Sequence, residues 1–175
     1  MKPPIDYLCP HEIALDLEAS TRWEALRAVG ALIERSRGLD APPLFRALWR
    51  REQAQSTALG HGIAVPHARI MRISEPITAY VRTRLPIAFG APDRGPISEL
   101  FVLLVPEGDD NTRHLELLAL IAEMFSEVAF RARLGQAADV DSVRAIFQLW
   151  VAGKVATLGA LTAAAGSQPA PRAST

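Results

Sequence analysis

Internal disulfide bonds are excluded in this chain, because it has a single cysteine, Cys9. That absence excludes the small disulfide-linked secreted folds and makes a reducing compartment the expected setting. Excess charge is also missing, since 19 basic residues balance 19 acidic ones. Without an overall positive field, we expect the chain to bind neither nucleic acid nor anionic membrane surfaces.

Long hydrophobic runs are absent too. No stretch reaches the roughly 20 apolar residues of a membrane-spanning helix, and the first residues carry no apolar segment of the kind found in secretory signals. Residues 151–166 come closest, but they are rich in alanine and include Lys154 and three glycines. We therefore expect a cytoplasmic protein that is not embedded in a membrane.

The length and composition suit one domain with a buried core, since 49% of the 175 residues are hydrophobic. We assign this domain to residues 7–150. Residues 151–175 are rich in alanine, with glycine, serine, proline and threonine. For them we predict a flexible tail that is frayed or disordered from about residue 153.

Hydrophobic periodicity and end-capping residues predict the helices. Thr21 and Glu24 form a capping box at the start of a first helix, and Gly38 is placed to end it. A second, short helix begins at the prolines 42 and 43 and reaches Arg51. After residue 106, Asn111 or Thr112 can cap a third helix, and two more follow by residue 150.

Apolar runs of a different period predict the strands. In residues 13–17 and 77–81, apolar residues alternate with small or polar ones, whereas residues 100–105 are continuously apolar. A continuously apolar strand is buried on both sides and needs helices over each face of its sheet. We therefore predict a single α/β domain, with a mixed sheet flanked by helices on both faces.

The stretch from Ser56 to Arg69, STALGHGIAVPHAR, stands out as a candidate site. Two histidines, His61 and His67, lie six residues apart among glycines and alanines that let a large group approach the backbone. Pro66 restricts the chain just before His67. We expect that histidine to be presented at the surface instead of being buried.

Several kinds of site can be weighed for this stretch. The third glycine of a G-x-G-x-x-G dinucleotide motif would fall at Val65, and no P-loop is present. A metal site is harder to exclude, because potential ligands exist at His61, His67, His114 and either Glu116 or Asp110. The usual H-x3-H and H-E-x-x-H spacings are absent, so we predict no metal and no cofactor. Any one of these histidines could instead be an ordinary surface or core residue.

The stretch from Ser56 to Arg69 resembles the active-site signature of EIIA proteins of the fructose/mannitol class. These form the type 2 EIIA family of the bacterial phosphoenolpyruvate-dependent sugar phosphotransferase system. The resemblance continues at residues 13–17, 86–89, 100–106 and 114–118, and it is greatest for the nitrogen-regulatory members. It implies the fold of that family, a mixed sheet of about five strands with helices on both faces.

The resemblance also implies a function, that of a phosphohistidine carrier more than a free-standing enzyme. Family members accept a phosphoryl group from a histidine phosphocarrier protein, here on His67, and His114 and Arg51 would line the same site. The nitrogen-regulatory members imply a regulator of nitrogen, potassium or carbon metabolism. The alternative is a sugar-specific component that passes phosphate to an EIIB domain. His61 stands where asparagine is common in the family, which leaves open whether it touches the phosphoryl group.

The side chains of His67, Arg51 and His114 have the chemistry that phosphoryl transfer requires. A neutral imidazole can attack phosphorus through one nitrogen while the other keeps its proton. Arg51 offers a planar fork of donors to the phosphoryl oxygens, and His114 falls in the first turn of a helix, where the positive dipole end lowers its pKa. Arg69 either contacts acidic residues of the donor protein or faces solvent. A binding module without phosphorylation and a metal hydrolase remain as other classes.

Overall fold

The computed structural model describes residues 2–165. After a short 3-10 helix at Pro4–Tyr7, the elements are β1 (Leu8–Leu17), α1 (Arg22–Arg37), α2 (Ala41–Ala54), β2 (Ala58–Gly60), β3 (Ile63–Ala64), β4 (His67–Ile70), β5 (Ile77–Ile87), β6 (Ile97–Pro106), α3 (Asn111–Ser126), α4 (Val128–Gln136) and α5 (Val140–Ala165).

The strands form one mixed sheet. Its order is β1-β5-β6-β3-β2, and β4 also pairs with β6, which makes six strands. The β1–β5 pair and the pairs of β6 with β3 and β4 are parallel, whereas β5–β6 and β2–β3 are antiparallel. The predicted mixed α/β fold is confirmed, with β3 and β4 as separate short strands along the same side of β6.

Strand β6 is the centre of the core, because helices cover the sheet on both faces. The side chains that pack with α1 and α2 are Leu100, Val102 and Leu104. The alternate side chains, which pack with α3, α4 and α5, are Phe101, Leu103 and Val105. All six are fully buried. The continuous apolar run therefore reflects burial on two sides, as expected for such a strand.

The ends of α1 follow from local chemistry. The hydroxyl of Thr21 accepts from the backbone N–H of Glu24 at 3.2 Å, and the Glu24 carboxylate accepts from Ser20 N at 2.7 Å. Gly38 ends the helix in the left-handed conformation, with φ +68°. Both predicted boundaries of this helix are confirmed.

The last helix extends further than the sequence predicted. Helix α5 continues to Ala165, so the frayed or disordered chain expected from about residue 153 is not observed over residues 153–165. Alanine has the highest helix propensity of all residues, so an alanine-rich segment prolongs a helix as readily as it forms a linker. Residues 166–175 of the expected tail lie outside the described residues. Within residues 2–165, no helix is both long and apolar enough to cross a membrane.

Candidate functional site

His67 lies at a break in the sheet, beside the central strand β6. Strand β3 ends at Ala64 and β4 begins at His67, and both run parallel to β6. Pro66 lies in the break and has no N–H to donate to the sheet, while its carbonyl accepts from Leu103 N at 3.0 Å. The side chain of His67 is half-buried. The histidine is thus held by the sheet but remains partly open to solvent.

The protonation of the His67 ring is determined by a backbone carbonyl. Nδ1 lies 2.8 Å from the carbonyl oxygen of Val65. A carbonyl oxygen only accepts, so Nδ1 carries the hydrogen and Nε2 carries the lone pair. The Nε–H of Arg51 donates to Nε2 at 3.0 Å. The free nucleophilic nitrogen of this ring is therefore Nε2, and it faces a guanidinium group.

Arg51 is positioned by the last turn of α2. A cation there is favoured by the negative end of the helix dipole. Its Nη1 donates to the carbonyl oxygen of Gln55 at 2.8 Å, just beyond the helix. With one nitrogen bonded to the backbone and another to His67, the guanidinium is oriented before any substrate arrives.

His114 approaches His67 from the first turn of α3. The two ring centroids are 5.7 Å apart. The cap of this helix is Asp110, whose carboxylate accepts from Thr112 N at 3.0 Å, so the prediction of Asn111 or Thr112 as the cap was wrong. Among the described residues, Nδ1 of His114 and Oδ2 of Asp109 are buried polar atoms without a hydrogen-bond partner.

Both histidines have lowered pKa values. Burial lowers the pKa of His67 below 6.5, and the positive charge of Arg51 and the neighbouring His114 add to this, against the opposing hydrogen bond to Val65. Burial also lowers the pKa of His114, with Arg69 and Arg51 adding to it and Asp109 opposing. Both rings are therefore neutral near pH 7, as a phosphoryl acceptor and a neutral donor require.

The two rings open onto a positively charged cleft. Its volume is about 450 Å³, and the charged residues that line it beside His67 and His114 are Arg50, Arg51, Arg69 and Glu107. Three arginines outnumber the one carboxylate around two neutral imidazoles, which suits an anionic ligand. A larger cleft of about 540 Å³ lies between α1 and α2, beside Phe45, but no histidine lines it.

Arg69 has a structural role that the sequence left undecided. Its guanidinium donates to the carbonyl oxygens of Glu107 and Asp109, at 3.3 and 2.9 Å, and to the side chain of Asn111. These bonds tie β4 to the turn that precedes α3. Arg69 thus holds the start of the helix that carries His114, in addition to contributing its charge to the cleft.

His61 lies apart from His67 and His114, and it does not line their cleft. It is exposed in the turn between β2 and β3, at a positive φ of 55°, and its backbone N–H donates to Asp93 at 2.7 Å. Within residues 2–165, no three side chains of histidine, cysteine, aspartate or glutamate come together as a metal site would require.

Sequence reasoning missed three groups at or near the site. The first is the carbonyl of Val65, which belongs to the backbone and leaves no signal in the pattern of side chains. The second is Glu52, a buried residue adjacent to Arg51; in the sequence it resembles any polar residue near a helix end. The third is Arg50, which lines the cleft and forms with Arg51 a basic pair that is common on solvent-facing helix ends.

Comparison with known proteins agrees with this geometry. The sequence model of the family described as "Phosphoenolpyruvate-dependent sugar phosphotransferase system, EIIA 2" matches residues 6–149. The nitrogen regulatory protein of Pseudomonas aeruginosa is 35% identical over 137 residues, which are 78% of this chain and 88% of that protein. A fructose-specific EIIA component from Haloferax volcanii is 32% identical over 135 residues, covering 75% of this chain and 86% of that one.

A solved structure of a nitrogen regulatory protein is also similar to this chain. The crystal structure of the nitrogen regulatory protein IIA-Ntr from Neisseria meningitidis has a TM-score of 0.76 and 37% identity, covering 81% of this chain and 97% of that one. Together with the family match over residues 6–149, these similarities establish that the chain belongs to the type 2 EIIA family of the phosphoenolpyruvate-dependent sugar phosphotransferase system.

Proposed function

We propose that this protein is a phosphohistidine carrier that accepts a phosphoryl group on Nε2 of His67 from a histidine phosphocarrier protein. One observation carries the proposal. The Val65 carbonyl oxygen accepts a hydrogen bond from the N–H of Nδ1 at 2.8 Å, which leaves the lone pair on Nε2, the nitrogen that faces Arg51. A nucleophilic nitrogen held beside a cation is what transfer of an anionic group requires.

The transfer step balances without a further reactant. The lone pair of Nε2 forms a bond to phosphorus while the N–P bond of the donor phosphohistidine breaks, and that electron pair returns to the donor ring. Nδ1 of His67 keeps its proton throughout, because its N–H donates a hydrogen bond to the Val65 carbonyl oxygen. The reverse step, onto an acceptor, follows the same course with the roles exchanged.

The remaining groups of the cleft stabilise the transferred phosphoryl group. Its negative charge is spread over three oxygens in a loose transition state, so donors and positive charge at fixed positions supply most of the stabilisation. Arg51 gives up its bond to Nε2 as phosphorus arrives and donates to a phosphoryl oxygen instead. His114, from the first turn of α3, donates an N–H to the phosphoryl group while it remains neutral.

A regulatory role is the favoured use of this chemistry. Phosphorylation adds about −1.5 to −2 charges at pH 7, and here it would do so inside a cleft of arginines. A cytoplasmic target protein that docks around the cleft would therefore distinguish the two states. The nitrogen regulatory relatives support regulators of nitrogen metabolism as the targets, and the resemblance described from the sequence adds regulators of potassium or carbon metabolism.

The second candidate function is sugar transport, in which the protein passes its phosphoryl group to an EIIB domain. Its support is the fructose-specific EIIA relative at 32% identity, a value close to that of the nitrogen regulatory relative. Transfer from the phosphorylated protein to purified EIIB domains separates the two. Rapid loss of label to an EIIB supports transport, and retention of label with all of them supports regulation.

The proposal is tested by incubating the protein with phosphoenolpyruvate, enzyme I and a histidine phosphocarrier protein. Intact-mass measurement should find one added phosphoryl group that is lost in acid. His67→Gln should abolish the addition. The matched control is His61→Asn, which keeps a residue suited to positive φ in an exposed turn outside the cleft, and it should be phosphorylated normally. Phosphorylation of His67→Gln at the wild-type level would contradict the proposal.

A further inference from the structure

Glu52 is a buried residue of α2, next in the chain to Arg51, and its side chain has no exposed area. A carboxylate removed from water needs protein groups in place of the lost solvent. Thr57 supplies two of them: its N–H lies 3.0 and 3.3 Å from the two carboxylate oxygens, and its hydroxyl donates to Oε2. Arg22 adds a guanidinium nitrogen 3.7 Å from Oε1.

Thr57 connects this carboxylate to the ring of His67 through the backbone. Its carbonyl oxygen accepts from Val65 N at 2.9 Å, and the carbonyl oxygen of Val65 accepts from Nδ1 of His67 at 2.8 Å. Thr57 and Val65 are both buried, so solvent does not compete for these bonds. A displacement of Thr57 is therefore passed on to the carbonyl that determines the tautomer of His67.

The same carboxylate holds the chain where it leaves α2. The helix ends at Ala54, and the bonds from Thr57 to Glu52 tie the following turn back to the helix. Arg51 is bonded to this turn, through the carbonyl oxygen of Gln55 at 2.8 Å. Both neighbours of the His67 ring, the Val65 carbonyl and the Arg51 guanidinium, thus depend on the segment that Glu52 holds.

We propose that Glu52 is a positioning residue for His67: through Thr57 it keeps the Val65 carbonyl on Nδ1, and so keeps the lone pair on Nε2. Glu52 does not line the cleft and forms no hydrogen bond with the ring. Its effect on phosphoryl transfer rests on the function proposed above, whereas its effect on the tautomer of the ring does not.

Glu12 provides a matched control for this role. Its side chain also has no exposed area, and it accepts from the same kinds of group: the backbone N–H of Cys9 at 2.9 Å, the hydroxyl of Ser36 at 3.2 Å and the guanidinium of Arg37. Glu12 belongs to β1, and its side chain contacts the last turn of α1; among the described residues, no hydrogen bond leads from it to His67. Glu12→Gln therefore perturbs a comparable buried carboxylate without affecting the ring.

The experiment compares Glu52→Gln with Glu12→Gln in the full chain, by nitrogen NMR of the imidazole rings and by the rate of phosphorylation. In Glu52→Gln, charge-assisted hydrogen bonds become weaker neutral ones. We expect a larger fraction of the Nε2–H tautomer of His67 and phosphorylation slower by about tenfold. Glu12→Gln should lower the Tm similarly but leave the tautomer and the rate at their wild-type values.

Thr57→Val is a second variant, in case Glu52→Gln does not fold, because it keeps the side-chain shape and removes one donor. It should change the tautomer in the same direction. Wild-type tautomer and rate in the variants of both positions would overturn the proposal, as would an equal change of tautomer in Glu12→Gln. If no protein took up phosphate but the tautomer still changed only in the Glu52 and Thr57 variants, the proposed function would fail and the positioning role would stand.

Discussion

The Nε atom of Arg51 lies 3.0 Å from Nε2 of His67, so the guanidinium lies directly beside the nitrogen that carries the lone pair. This contact lowers the affinity of that nitrogen for a proton without blocking its attack on phosphorus, since the arginine can transfer its bond to a phosphoryl oxygen. The site is therefore arranged for an anionic electrophile before one is bound.

Arg51→Lys should slow phosphorylation of His67 by about 10- to 100-fold, because lysine replaces a planar fork of donors with a point charge. The fold should be unchanged, because the residue is at the end of α2 and only half-buried. Rates measured by rapid quench test this, with Arg46→Lys, an exposed position of the same helix, as the control. Equal rates in the two variants would show that the contact with Nε2 has no part in the transfer.

His114 should act as a hydrogen-bond donor to the phosphoryl group. The phosphorylation rate of a His114 variant should therefore depend on whether the new side chain keeps a donor. His114→Ala should slow phosphorylation by about tenfold or more, and His114→Gln, which retains an N–H, by less. Leu115→Ala, at a neighbouring exposed position, is the control for disturbance of α3. The same loss in the alanine and glutamine variants would exclude a donor role.

Acid should destabilise the protein partly through His67. Burial and the neighbouring Arg51 hold its pKa below 6.5, so below that pH the unfolded chain binds a proton that the folded ring does not. The free energy of unfolding therefore falls as the pH is lowered from 6.5 through the folded pKa. His67→Gln removes this contribution, so its stability should fall less between about pH 7 and pH 5.5, as measured by urea denaturation. Parallel losses in both proteins would contradict the lowered pKa.

Phe147 should be one of the most sensitive core positions. It is fully buried and contacts four aromatic rings, those of Tyr80, Phe101, Phe125 and Phe130, with centroids 5.4 to 6.4 Å away. Phe147→Ala should lower the free energy of unfolding by about 3 to 5 kcal/mol. Leu149→Ala, exposed on the same helix, should change it by about 0.5 kcal/mol or less. Similar losses at both positions would show that the ring cluster adds no stability.

Much of the fold could be predicted from patterns that burial imposes on a sequence. The apolar run from Leu100 to Val105 predicted helices on both faces, since a strand without polar side chains cannot face water. The ends of helices are harder to predict from residue types alone. Asp110, Asn111 and Thr112 are all residue types that cap helices, so the choice of Asp110 depends on the turn geometry, which composition does not express. Alanine-rich chain beyond residue 150 was equally ambiguous, and α5 extends through it to Ala165.

The site was predictable where side chains carry the chemistry. The small residues and Pro66 around His67 marked that position, and the resemblance to the family suggested that Arg51 and His114 lie near it, as they do. The groups that orient the ring could not be predicted. The Val65 oxygen belongs to the backbone, and it contacts Nδ1 at the break between Ala64 and His67, where the pairing of β3 and β4 with β6 is interrupted.

The acceptor nitrogen of the proposed transfer is Nε2 of His67. Nitrogen and phosphorus NMR of the phosphorylated protein, labelled at histidine, measures directly which ring nitrogen is bonded to phosphorus. We expect phosphorus on Nε2, with Nδ1 still protonated and hydrogen-bonded to the Val65 carbonyl. Phosphorus on Nδ1 of His67, or on the ring of another histidine, would contradict the proposed transfer.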